Sequence, residues 1–156
     1  MHVRSLFLPM AALAGALVMA APAALEAQQP QVSPAVAYRK ATMNGIRYHR
    51  EALTALVQGQ VTHPDHVAQH AGALRALAMM SGDVFPEGSH GEGSRALPAI
   101  WANSAAFATQ VQGFQAAAVA LDEAARSGDA AALQTALAAF GRTCASCHGD
   151  FRGPAN

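Results

Sequence analysis

Apolar residues recur along most of this chain at the three- and four-residue intervals of a helix, and nowhere alternate with polar ones over a strand's length. Val36, Arg39, Met43, Ile46, Arg50, Leu53 and Val57 mark one face of a helix predicted from about Pro34 to Val57, ended by Gln58-Gly59. Thr62-His63-Pro64-Asp65 reads as a capping box with Asp in place of Glu, opening a second helix on which Val67, His70, Leu74 and Leu77 share a face. A third long helix, with Pro98 suited to its first turn, carries Phe107, Val111, Phe114, Ala118, Leu121 and Ala125. Ser127-Gly128 closes it, and Asp129 caps a last helix whose stripe is Leu133, Leu137, Phe140, Cys144, Cys147 and Phe151. Residues 81–97, containing Gly82, Pro86, Gly88, Gly91 and Gly93, form the long loop. Short links on either side of that connection predict an all-α, antiparallel up-down-up-down four-helix bundle.

Composition narrows the functional classes. The chain has 156 residues, 52% of them hydrophobic and 13% charged, enough for one compact domain. Lys+Arg and Asp+Glu both number 10, so no basic field exists to collect nucleic acid. At the amino end, a cationic start through Arg4 precedes the apolar run Leu6 to Ala21, the pattern of a secretory signal peptide. Cleavage is expected after Ala27, with Ala23 as the competing site. The run is too short for a bilayer span and Pro9 interrupts it, so no membrane association is expected after cleavage. Export to the periplasm follows.

The two cysteines stand in Cys144-Ala-Ser-Cys147-His148. On a helix, both sulfurs project from neighbouring positions where each can add to a haem vinyl group, and the following imidazole can reach the iron. Two other chemistries fit parts of this motif. A redox dithiol would follow a strand, and none is predicted here; a structural zinc needs four ligands, and only three candidates cluster. The expectation is therefore one haem c, attached through thioethers at Cys144 and Cys147, with His148 as metal ligand. Residues 1–27 are then the signal peptide and 28–156 the haem domain, the haem entering the bundle core because both cysteines lie on the inner stripe.

The haem motif on the last helix, Arg152 four residues beyond His148, and Arg39 with Met43 in Tyr38-Arg39-Lys40-Ala41-Thr42-Met43 together resemble the cytochrome c′ family of class II c-type cytochromes. The resemblance covers the chain after the signal peptide and implies a role for Arg39 as haem-propionate partner, Met43 as the residue on the distal side, and Arg152 beside the axial histidine. The glycine-rich loop leading to Ile100-Trp101 is also similar, although Gly82 stands near where some members carry tryptophan. Charge-assisted pairing with propionates gives a physical reason for an arginine on an inner stripe.

The sixth iron position divides two functions. No Met or His follows His148, and Met43 shares the face of Arg39. With Met43 only covering the distal side, the iron is five-coordinate and open to nitric oxide or carbon monoxide; with Met43 as sixth ligand, the protein is a six-coordinate, low-spin electron carrier. The family resemblance favours the open site, and one-electron transfer to an unassigned redox partner is common to both. No distal acid or base is apparent for peroxide chemistry, so no enzyme is expected. His49 is expected at the surface, His66 and His70 stand one turn apart, His63 and His90 fall in capping or loop contexts, and Met79 and Met80 read as core filling. A homodimer through the first two helices, eased by Ala41, Gly45 and Ala52, is a further implication of the resemblance.

Overall fold

The computed structural model describes residues 32–154; the expected signal peptide and its cleavage site lie outside them. Five helices follow in order: α1 (Pro34–Val57), α2 (Pro64–Met80), α3 (Ala99–Ala102), α4 (Ser104–Ser127) and α5 (Ala130–Phe151). The four long ones pack as an antiparallel bundle, as the periodicity predicts. Ser33 starts α1 by accepting from the Val36 amide at 3.3 Å, with Pro34 in the first turn where its missing N–H costs nothing. Asp129 accepts from the Ala131 and Ala132 amides to start α5, directly after Gly128 turns the chain in the left-handed region at φ 75°.

Two expectations at helix ends are corrected. The Thr62 box does not form: His63 is the capping residue of α2 and makes no side-chain cap bond, leaving Pro64 to set the helix entry. The helix expected from Pro98 is interrupted at Asn103 (φ −126°, ψ 54°), which separates the single turn α3 from α4. The turn places Ile100 in a buried cluster with Phe107 and Phe151.

The main core joins Ile46 and Leu53 of α1, Ala71, Leu74 and Ala78 of α2, Ala118 and Leu121 of α4, and Phe140 of α5. Phe140 is fully enclosed, a burial contributing about 2–3 kcal/mol. A second, smaller core of Ile100, Phe107 and Phe151 lies under the loop, with the Phe85 and Phe151 rings each edge-on to Phe107 at 5.0 and 5.2 Å. Met79 and Met80 are exposed rather than core residues, because Leu74, Ala78 and Ser81 take the inward positions there.

Asp122 is a buried carboxylate on the inner face of α4. Its carboxylate accepts from Arg75 of α2 at 3.1 Å and from Arg126 at 3.0 Å. Burial alone would raise its pKa; the hydrogen bonds and charges of Arg126 and Arg75 outweigh that and hold it below the usual carboxylate range. A depressed pKa means stability that is present above the unfolded value, about 3.9, and lost as pH falls through the folded one. Asp122→Asn should therefore cost about 1–2 kcal/mol near neutrality, the arginines being half-exposed. The gap between the wild-type and variant melting temperatures should close as pH falls below about 4; a gap independent of pH would remove the ionic role.

Candidate functional site

α2 packs along both α1 and α4, and α4 along α5, whereas α1 and α5 meet only briefly. Met43 and Cys144 pack on the same cluster beside that seam, whereas Arg39 and Arg152 are held by the 81–97 loop. Leu133, Leu137, Cys144 and Cys147 of the predicted α5 stripe stay half-buried, as do Met43 and Arg50 opposite on α1. Half-buried side chains on both sides of a seam where α1 and α5 meet only briefly leave faces against which a flat macrocycle could pack.

Cys144 packs against the main core and Cys147 against the loop-side core, so the pair bridges the two clusters. Both thiols are free. Burial pushes both pKa values up, at Cys144 partly offset by the Arg50 charge and at Cys147 reinforced by Cys144 and Asp150. They persist as neutral thiols, unlike the activated thiolate of a redox dithiol. Cys144 donates to the Phe140 carbonyl at 3.3 Å.

His148 stands one turn after Cys144 with its ring accessible. Desolvation by the surrounding protein, then the Arg152 and Arg95 charges, lowers its pKa, favouring the neutral imidazole that a metal requires. Arg152 Nη1 lies 3.3 Å from His148 Nδ1. A guanidinium only donates, so this contact places the ring proton on Nε2; a ring offering Nε2 as ligand carries its proton on Nδ1 and gives up the contact. Arg152 itself does not fray away: its backbone pairs with Ala96, Leu97 N–H bonds the Phe151 carbonyl at 3.0 Å, and Gly153 N–H bonds the Arg95 carbonyl at 2.8 Å.

Arg39 is buried, with 5% of its surface exposed, and four of its N–H groups are taken by the loop. Nη1 donates to the Val84 carbonyl (3.2 Å) and Ser89 Oγ (2.7 Å), Nη2 to the Ser89 carbonyl (2.6 Å) and Ser94 Oγ (2.8 Å), and the group lies 4.9 Å above the Phe85 ring. Burial lowers its pKa, yet a guanidinium stays charged. No carboxylate pairs with it among the described residues. A buried cation satisfied only by neutral acceptors is the electrostatic complement of an added anion. Ser89 and Ser94 could not be foreseen, since their meeting with Arg39 depends on how the loop folds. Gly82 lines an open groove of about 300 Å³ with Asp83, Phe107, Val111 and Gln115.

His49 is not a surface residue. It is half-buried against α2, its Nδ1 2.9 Å from that of His70. Burial, then His49 and His66, lowers the pKa of His70. His90 lies against Trp101, ring centres 5.3 Å apart. Gly45, expected on the outer face, faces Leu77 of α2 instead.

The family model described as Cytochrome C' matches residues 34–152. A cytochrome c' of Pararhodospirillum photometricum is 37% identical over 118 residues, spanning 75% of this chain and 94% of that one. Among solved structures, a nitric oxide complex of a mutant cytochrome c prime from Alcaligenes xylosoxidans superimposes with TM-score 0.72 at 30% identity, covering 77% of this chain and 94% of that chain. A carbon monoxide-bound variant of the same organism's protein gives TM-score 0.73 at 28% identity, covering 80% and 98%.

Proposed function

The chain belongs to the cytochrome c′ family, and from that premise we propose that it is a periplasmic, one-electron haem protein that binds nitric oxide or carbon monoxide at an iron carrying His148 as its single protein ligand. The family's members are non-enzymatic haem proteins, and the cofactor is haem c. When bound, the haem would supply a one-electron iron centre at which a diatomic gas could bind. Cys144 and Cys147 hold it from the two cores that they bridge, and His148, kept neutral, offers its imidazole.

The gas-binding reading is carried by the likeness to cytochromes c prime solved with nitric oxide and carbon monoxide bound, and Met43, packed on the apolar cluster shared with Cys144, would cover the gas-binding side. Ser89 and Ser94 each accept from Arg39 while keeping a hydroxyl proton to give onward, so the cluster can present positive charge and two donors to a haem carboxylate. Arg152, displaced from Nδ1, remains a cation beside the axial ring. Of the small residues expected to ease a homodimer, Ala41 is exposed while Ala52 is half-buried and Gly45 faces Leu77, so a second copy would meet the outer face of α1 around Ala41.

The test is the visible spectrum of the dithionite-reduced holoprotein with and without carbon monoxide, beside Met43→Leu. Both proteins should shift with the gas, the leucine variant changing affinity without changing the unliganded spectrum. A sharp, split low-spin spectrum that ignores the gas, and is lost in Met43→Leu, would establish the six-coordinate electron carrier instead.

A further inference from the structure

The haem function leaves the α1–α2 seam unused, and four of the chain's seven histidines gather there. His49 and His70 face each other across the two helices, Nδ1 to Nδ1 at 2.9 Å, their ring centres 5.1 Å apart and planes inclined at 57°. His66, one turn before His70 on α2, has its ring 6.5 Å from that of His70, and His63 stacks on His66 at 4.9 Å. No carboxylate forms an ion pair with any of them among the described residues.

We propose that His49, His70 and His66 form a binding site for one divalent transition ion of the kind imidazole prefers, Zn²⁺, Ni²⁺ or Cu²⁺, bridging α1 to α2. With metal–nitrogen bonds of about 2.0–2.1 Å, two ligands at a right angle have nitrogens about 2.9 Å apart, and two at a tetrahedral angle about 3.4 Å. The observed separation of 2.9 Å lies at the near end of that range, so the two nitrogens already stand at a distance one ion could bridge. An Nδ1-to-Nδ1 hydrogen-bond contact joins the pair, and a metal would take its place. His66 and His70, four residues apart, occupy the same face of α2, the spacing at which two helical histidines ligate one ion. His66 is exposed and its ring lies 6.5 Å from that of His70, so among the described residues the three imidazoles do not yet converge, and His66 would have to change rotamer to join the pair. Water would complete the coordination on the solvent side. His49 arises six residues beyond Met43 on α1, about 9 Å along the axis, so the site lies apart from the residues assigned to the haem.

The experiment is calorimetric titration of chelator-treated holoprotein with zinc chloride. Wild type should bind one Zn²⁺ per chain. His49→Gln and His70→Gln should each weaken binding at least ten-fold and His66→Gln by less, while His90→Gln binds as wild type does. Unchanged helical circular dichroism and haem absorption would establish that the variants fold. In wild type, Zn²⁺ should also protect His49 and His70, but not His90, from acylation by diethyl pyrocarbonate as read by mass spectrometry. Absence of saturable binding, or affinity and protection indifferent to His49 and His70, would overturn the proposal.

Discussion

Changing both cysteines, Cys144→Ser with Cys147→Ser, should reduce covalently retained haem to background on a denaturing gel stained for haem, a loss of essentially all the signal. The singly substituted proteins should keep haem through the remaining sulfur at reduced yield. The reason lies in the placement of the thiols. They sit on one stripe of α5, held neutral by burial, each against a different apolar cluster. Removing both leaves no covalent link, and the α1–α5 seam loses the group that closes it. The doubly substituted protein should thus also melt at a lower temperature than wild type. Haem staining that survives in the double variant would mean attachment by other residues.

Arg39→Ala should be the most destabilising single change outside the apolar core, at about 3–5 kcal/mol. Its four hydrogen bonds run to residues 45–55 positions away, so one side chain fastens the 81–97 loop to α1. Without it the buried Val84 and Ser89 carbonyls lose their donor, at about 1–3 kcal/mol each, and the Phe85 contact goes with them. For a domain of this size the melting temperature should fall by on the order of 10–20 °C. Amide exchange should quicken in the loop before it does in α2 or α4. Arg39→Lys should recover only part of the loss, since an ammonium cannot span two carbonyls and two hydroxyls as the planar fork does. A melting temperature unchanged in Arg39→Ala would show that the loop is held by other contacts.

The helices were legible because their signals are local. Ser33-Pro34, Gly128-Asp129 and the inner stripes act within a turn of where they stand, so α1 and α5 begin where the sequence places them. The haem motif was legible for the same reason: its five residues are contiguous. What escaped depends on the register between elements. The break at Asn103 has no glycine or proline beside it to announce it. The pairing of His49 with His70 requires knowing how α1 lies on α2. Arg39 stood out as a cation on an apolar stripe, but its serine partners lie in a glycine-rich loop without periodicity. Asp122 passed unremarked because its arginines approach one from α2 and one from its own helix.

The central claim is an iron that carries His148 and leaves its opposite position open. It is tested most directly by the resonance Raman spectrum of the dithionite-reduced holoprotein, read for spin and coordination markers and for the iron–histidine stretch. A five-coordinate, high-spin ferrous haem with that stretch present, and altered in His148→Gly supplied with imidazole, is the expected result. A six-coordinate, low-spin ferrous haem in the wild-type protein would contradict it.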